Sequence, residues 1–92
     1  MASVMDSQRS VRIPNKLGLH ARPAAEFVKL AATFQSEIMV AKEELEVNGK
    51  SIMGMMMLAA ECGSAIIIRA SGADADDAVA QLVALVERGF GE

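Results

Sequence analysis

The sequence has 92 residues, a net charge of −3 and a hydrophobic share of 52%, which suits one folded domain and excludes a disordered chain, because disorder goes with low hydrophobicity and high net charge. It contains a single histidine, His20, and a single cysteine, Cys62, so an internal disulfide is impossible and no metal site is expected. No apolar run approaches the ~20 residues of a membrane helix, the first ten residues lack the apolar core of a secretory signal, and an acidic chain with three aromatics is a poor binder of nucleic acid. We therefore expect one cytoplasmic domain spanning residues 1–92.

The first half of the chain shows the pattern of a strand, a helix and two further strands. Residues 1–8 are expected to form a loose lead-in, and residues 9–14 alternate apolar and polar side chains as a half-buried strand does. From Ala21 the apolar residues recur at helical spacing. The apolar face of this predicted helix consists of Ala24, Phe27, Val28, Ala31 and Phe34. Residues 37–41 and 45–47 predict two short strands joined by a polar turn, and hence a hairpin.

The second half predicts a helix, a strand and a last helix. Residues 51–60 are a helix candidate with Ser51 near its start, and residues 64–70 carry three consecutive isoleucines, a strong strand signal. Residues 75–88 have a helical apolar face and an acidic first turn, where negative charge is favourable. The acidic residues at its start are Asp74, Asp76 and Asp77. The order β-α-β-β-α-β-α predicts an α+β fold with one antiparallel sheet and helices on one face.

His20 stands at a position that suits the binding of an anion. It directly precedes the first helix, and Pro23 falls in the first turn, where a missing N–H costs nothing. We therefore place His20 at or next to the N-cap, with the free N–H groups from Ala21 onward near its ring. Arg22 adds a permanent cation that can bind two phosphoryl oxygens. The segment predicts a receiver for a phosphoryl group; the alternative is a surface histidine without a function.

Two segments resemble the HPr phosphocarrier family. Residues 15–25 read NKLGLHARPAA and are similar to the family's active-site segment, while residues 48–54 read NGKSIMG and are similar to its regulatory-serine segment. The order of elements also matches the family's open-faced β-sandwich, with a four-stranded antiparallel sheet and three helices on one face. The resemblance covers nearly the whole chain.

The resemblance implies a protein that carries phosphate between other proteins. His20 would accept a phosphoryl group from enzyme I, which obtains it from phosphoenolpyruvate, and would pass it to a IIA component. Arg22 would stabilise the phosphoryl group. Because the in-line geometry forms only in the docked complex, the protein would be a carrier and not a self-contained catalyst. It would act as a monomer without a cofactor or metal.

The segment 51–60 is apolar nearly all round, so one of its faces is expected to stay exposed. One face is formed by Met55, Leu58 and Ala59. The other is formed by Ile52, Met53 and Met56. The resemblance favours the second set as a docking surface, for which flexible methionines are well suited; the alternative is that all the methionines belong to the core.

Ser51 allows two interpretations. It is either a simple N-cap or a regulatory phosphoserine, as in relatives from Gram-positive and some other bacteria that are modified by an HPr kinase/phosphatase. A phosphate would add about −1.5 to −2 charges beside the apolar surface. We therefore expect phosphorylation to weaken docking without unfolding the domain.

Several functional alternatives stay open. Residues 82–92, together with Met57 and the pair Ala59 and Ala60, also resemble the nitrogen-related branch of the family, which serves a regulatory phosphorelay and not sugar uptake. A regulatory binding module with His20 phosphorylation as its switch is a second class of function, and a small-molecule-binding domain is a third. Cys62 is interpreted as a small buried or loop residue without an assigned role.

Overall fold

The computed structural model describes residues 5–92, which form a four-stranded sheet covered by helices on one face. The elements in chain order are β1 (Asp6–Arg12), α1 (Ala21–Ala31), β2 (Glu37–Lys42), β3 (Leu45–Asn48), α2 (Ile52–Met57), β4 (Ala65–Ser71) and α3 (Ala75–Glu87), followed by a 3-10 turn at Gly89–Gly91. The strand order is β1-β4-β2-β3 and every neighbouring pair is antiparallel. The predicted open-faced α+β sandwich is confirmed. Among residues 5–92, no helix is both long and apolar enough to cross a membrane.

The two faces of the sheet differ because side chains alternate along each strand. In β4, Ile66 and Ile68 are fully buried, whereas the alternate residues Ile67 and Arg69 are exposed. The buried face meets the apolar sides of the helices, and Phe27 of α1 is the largest of the fully buried side chains. The helices therefore cover one face of the sheet, and the other face is open to solvent.

Three elements begin or end elsewhere than the sequence predicts. Helix α1 ends at Ala31, so that Phe34 of the predicted apolar face lies beyond the helix, although it is buried. Strand β1 begins at Asp6, so the predicted lead-in is wrong over residues 6–8, because backbone pairing with β4 continues from Arg12 to Asp6 through polar residues that show no apolar alternation. The lead-in's residues 1–4 lie outside the described part. Helix α2 ends at Met57 and not at residue 60, because Ala59 adopts a left-handed backbone with φ of 50°, which an α-helix cannot contain.

Asp74 joins the start of α3 to the loop before β2. Its carboxylate accepts hydrogen bonds from the hydroxyl of Ser36 and from the backbone N–H groups of Gln35 and Ser36, the two latter at 2.9 Å. The hydroxyl bond, followed by the Gln35 N–H, holds the pKa of Asp74 below its ordinary value. Asp74 thus fixes a loop distant in sequence, which its acidic helix-start pattern does not reveal.

This cluster predicts a pH-dependent contribution to stability. Since the pKa of Asp74 in the folded state lies below its ordinary value of 3.8, the contribution is present above that value and is lost as the pH falls through the folded pKa. We expect Asp74→Asn to lower the urea midpoint of unfolding at neutral pH, and the difference from the unmodified protein to shrink as the pH falls below 3.8.

The matched control is Asp76→Asn, because Asp76 is an exposed acid in the first turn of the same helix. It has no hydrogen-bond partner in the part of the chain that the structure describes, so its midpoint should change little. If Asp74→Asn lowered the urea midpoint equally at neutral and acidic pH, the stabilising role of the ionised Asp74 carboxylate would be contradicted.

Candidate phosphoryl-acceptor site

His20 occupies the N-cap of α1, as the sequence predicts. Its backbone is extended, with φ of −78° and ψ of −171°, and its side chain makes no capping hydrogen bond. The side chain is 36% exposed, and the ring lines an open cavity together with Lys16 and Leu17. The imidazole is therefore accessible to another protein.

The loop before His20 is tied to the segment that follows α2. The N–H of Leu19 donates to the carbonyl of Ala60 at 2.8 Å. Gly18 has φ of +69°, and a Cβ there would lie 2.6 Å from the same carbonyl oxygen, so only glycine fits this close approach. The attachment fixes where His20 leaves the loop and enters the helix.

The first turn of α1 offers free N–H groups beside His20. The N–H of Ala24 donates to the His20 carbonyl at 3.0 Å, and Pro23 has no N–H to place. Within residues 5–92, the N–H groups of Ala21 and Arg22 have no acceptor. Two unpaired donors at the positive end of an 11-residue helix form a suitable environment for an anion.

Arg22 is an exposed residue of this first turn. It lines a neighbouring cavity with Asn15 and Glu92, and Lys16 lines both this cavity and that of His20. In the described part of the chain the guanidinium makes neither a hydrogen bond nor an ion pair. The structure thus brings two cations to the rim of the site, of which the sequence analysis identified only Arg22.

Glu92 is a contact of His20 that the sequence analysis missed. Its Oε2 lies 2.8 Å from His20 Nε2, and its Oε1 accepts a 3.0 Å hydrogen bond from the side-chain amide of Asn15. The buried Asn15 amide also donates to the Gly18 carbonyl at 2.6 Å. The Gly-Phe-Gly sequence before Glu92 is a signal for a turn, but nothing in it indicates a partner 72 positions away.

Ser51 and the exposed side of α2 follow the predicted pattern closely. Ser51 is the N-cap, and its Oγ accepts a 3.0 Å hydrogen bond from the N–H of Gly54. The exposed side chains include the three predicted ones and one that was missed: Ile52 (44%), Met53 (74%), Met56 (44%) and Met57 (64%). We call these four residues the methionine surface.

The opposite side of α2 corrects one part of the prediction. Met55 and Leu58 are buried as expected, but Ala59 is exposed, because the helix has ended and the backbone has turned away. Leu17, in the loop before His20, is a further exposed apolar residue at 75% that the sequence analysis did not single out.

Cys62 lies in an exposed turn and lines the same cavity as His20. The loop interpretation of this residue is confirmed and the buried one is wrong. Cys62 lies near His20 because the loop before His20 is attached to the segment that follows α2. No local sequence pattern indicates this proximity. Among residues 5–92, no three histidine, cysteine, aspartate or glutamate side chains converge as metal ligands.

A family model described as the PTS HPr component phosphorylation site matches residues 7–88. The chain belongs to the HPr family. It is 48% identical to the Phosphocarrier protein HPr of Neisseria meningitidis serogroup A, over 92% of this chain and 96% of the relative. It is also 44% identical to the Phosphocarrier protein NPr of Proteus mirabilis, over 96% of this chain and 99% of the relative.

A solved structure agrees with this membership. The crystal structure of HPr from Thermoanaerobacter tengcongensis superimposes with a TM-score of 0.90 at 46% identity, covering 94% of this chain and 97% of that one. The protein is therefore an HPr-type phosphocarrier of the phosphotransferase system. Its relatives include proteins named HPr, NPr and Crh, so membership in the family does not distinguish between proteins of these three names.

Proposed function

We propose that this phosphocarrier accepts a phosphoryl group on His20 from phosphorylated enzyme I and passes it to a IIA component. The observation that carries the proposal is the position of His20, whose exposed ring stands at the N-cap of α1 beside two unpaired N–H groups. Phosphoryl transfer is catalysed mainly by positioning and by stabilisation of the charge on the phosphoryl oxygens. The helix start and Arg22 supply that stabilisation, and the docked partner supplies the alignment.

The test is a two-step transfer with purified proteins. The carrier is incubated with enzyme I and phosphoenolpyruvate, and intact mass spectrometry measures the addition of one phosphoryl group. We expect a single, acid-labile phosphate, as a phosphohistidine gives. Failure of enzyme I to phosphorylate the carrier would overturn the proposal, since the fold alone does not make a chain an acceptor.

The choice of acceptor decides between the two branches. The primary hypothesis is a IIA component of sugar uptake, and the alternative is the regulatory IIA protein of the nitrogen-related branch. The likeness to NPr over 96% of this chain supports the alternative, in which the carrier acts as a regulatory phosphorelay and partner-binding module. Adding each acceptor to the phosphorylated carrier and comparing initial transfer rates distinguishes them, because the cognate acceptor should be phosphorylated faster.

Arg22→Ala is expected to slow phosphoryl uptake about tenfold. The reason is the loss of a charge-assisted contact to the phosphoryl oxygens, at a site exposed enough for solvent to screen it. The measurement is the initial rate of uptake from enzyme I at several ionic strengths. The uptake rate of Arg22→Lys should lie between those of the unmodified protein and Arg22→Ala, since lysine keeps the charge but not the planar, bidentate geometry of the guanidinium.

The matched control for Arg22 is Arg9→Ala. Arg9 is an exposed arginine of β1 and does not line either cavity at the site. Removing it changes the net charge of the protein equally. An equal loss of rate in both variants would contradict a specific role of Arg22 and indicate only long-range attraction between the proteins.

The methionine surface is proposed as the docking site for enzyme I and the IIA components. Its four side chains are between 44% and 74% exposed, and large exposed apolar patches on small proteins commonly bind partners. Ser51 stands at one end of this surface and is proposed as the residue that an HPr kinase/phosphatase modifies.

We also propose that the protein is a cytoplasmic monomer, although solved relatives include dimers of HPr and Crh. Light scattering of the purified carrier measures its oligomeric state.

A further inference from the structure

A lysine from the sheet binds the backbone carbonyls that directly follow α2. Lys42 is the final residue of β2 and is partly buried. Its Nζ lies 3.4 Å from the carbonyl oxygen of Leu58 and 3.3 Å from that of Ala59. Because one ammonium group is shared between two carbonyls, each distance exceeds the usual ~2.9 Å. A cation is favourable here, since the carbonyls at the C-terminal end of a helix carry partial negative charge.

The two carbonyls belong to a segment, residues 58–60, with an unfavourable backbone conformation. Helix α2 ends at Met57, and Ala59 has a left-handed φ of 50°, which is unfavourable for alanine. Ala59 is exposed, so packing of its side chain does not hold it in this conformation. Lys42 binds the carbonyl before Ala59 and the carbonyl of Ala59 itself. It therefore stabilises the backbone on both sides of the strained residue.

The third carbonyl of the same segment binds the loop before His20. The Ala60 oxygen accepts the 2.8 Å hydrogen bond from the N–H of Leu19, the residue directly before His20. Residues 58–60 are thus joined to the sheet by their first two carbonyls and to the His20 loop by their third. A displacement of this segment would move Leu19 and, with it, the start of α1.

The segment 58–60 also lies between the methionine surface and His20 in structural terms. The methionine surface belongs to α2, whose last residue is Met57, whereas His20 is the N-cap of α1. The docking surface and the nucleophile are therefore on different elements. A misplacement of about 1 Å can slow a reaction about a hundredfold. A partner that covers the methionine surface is aligned with His20 only if the connection between the two is fixed.

We propose that Lys42 is a positioning residue, which fixes the placement of His20 relative to the methionine surface by holding residues 58–60 against the end of β2. The proposal rests on the proposed function of His20 and of the methionine surface. Lys42 takes no part in the chemistry. The phosphoryl group passes between the donor and the His20 ring, while the ammonium group keeps its protons and its two carbonyl partners.

Three variants separate this contact from a general effect of positive charge. Lys42→Met keeps the length and the apolar part of the side chain but removes the ammonium group. Lys42→Arg keeps the charge and can donate to both carbonyls from one guanidinium. The matched control is Lys29→Met, because Lys29 is exposed in the last turn of α1 and has no hydrogen bond or ion pair with any residue from 5 to 92.

The first measurement is amide hydrogen exchange of the unphosphorylated protein, followed by NMR. The Leu19 N–H should exchange about tenfold faster in Lys42→Met, and at the unmodified rate in Lys42→Arg and Lys29→Met. The N–H of Ile68 in the central strand β4 exchanges through global unfolding and should change less. If Lys42→Met accelerated both amides equally, Lys42 would contribute only to overall stability and the proposal would be overturned.

The second measurement is the steady-state kinetics of phosphoryl uptake from enzyme I, at a temperature at which every variant is folded. Lys42→Met should lower kcat about fivefold with the KM for the carrier nearly unchanged, because the methionine surface still binds but His20 is less well aligned. Lys42→Arg should recover most of kcat, and Lys29→Met should keep both constants.

Two kinetic outcomes would contradict the proposal. A raised KM at unchanged kcat would show that Lys42 contacts the partner directly, and unchanged constants would show that transfer does not depend on this anchor. A failure of the proposed function is distinguishable from both. If Leu19 exchanges faster as expected but enzyme I phosphorylates none of the four proteins, the proposed function is wrong, and Lys42 holds the loop without a role in transfer.

Discussion

His20→Ala is expected to reduce phosphoryl uptake from enzyme I below detection. His20 is the only histidine in the sequence, so no second imidazole can replace it as the nucleophile. The variant should nevertheless fold, because the His20 side chain makes no capping hydrogen bond to α1 and is part of no buried cluster. The measurement is the intact mass after incubation with enzyme I and phosphoenolpyruvate, alongside circular dichroism and thermal unfolding.

The control variant for this experiment is Lys16→Ala. Lys16 lines the same cavity as His20 and is exposed, so its removal alters the surroundings of the ring but leaves the nucleophile in place. Uptake should persist in this variant at a reduced rate. An acid-labile phosphate on His20→Ala, added by enzyme I, would show that the acceptor is another residue and would remove the basis of the proposed function.

The placement of His20 was predictable because it depends on adjacent residues. The start of a helix is set by a short stretch of chain, and here Pro23 in the first turn and the apolar spacing from Ala24 onward mark it clearly. The burial of Met55 opposite Met53 on α2 follows from helical geometry in the same way. Local patterns of this kind also gave the order of the elements and therefore the fold.

The contacts that sequence analysis missed all join distant parts of the chain. Glu92 reaches His20 across 72 positions, and the Asp74 carboxylate reaches the loop at Ser36 across 38. Neither contact is marked by a repeating pattern in the sequence, because each depends on where an entire helix or turn lies relative to the sheet. The early start of β1 at Asp6 is similar, since it is determined by backbone pairing with β4 and not by the type of side chain.

Ser51→Asp is expected to weaken binding to enzyme I by roughly one to two orders of magnitude, which corresponds to about 1.4–3 kcal/mol. The new charge stands next to Ile52 of the methionine surface and would have to be desolvated when a partner covers that surface. The fold should persist, because aspartate is as good an N-cap as serine and can accept the hydrogen bond from the N–H of Gly54. Calorimetric titration with enzyme I measures the affinity.

The neutral counterpart of this substitution is Ser51→Asn, which has nearly the same size as aspartate and is an equally suitable N-cap. Its affinity for enzyme I should stay close to that of the unmodified carrier, so that the difference between the two variants isolates the charge. Added salt should reduce that difference only in part: screening weakens the repulsion between surface charges, but it does not remove the cost of burying a carboxylate against Ile52 and Met53. Equal affinities for the aspartate and asparagine variants would mean that enzyme I does not cover the start of α2. In that case the methionine surface would no longer explain how a phosphate on Ser51 could regulate this carrier.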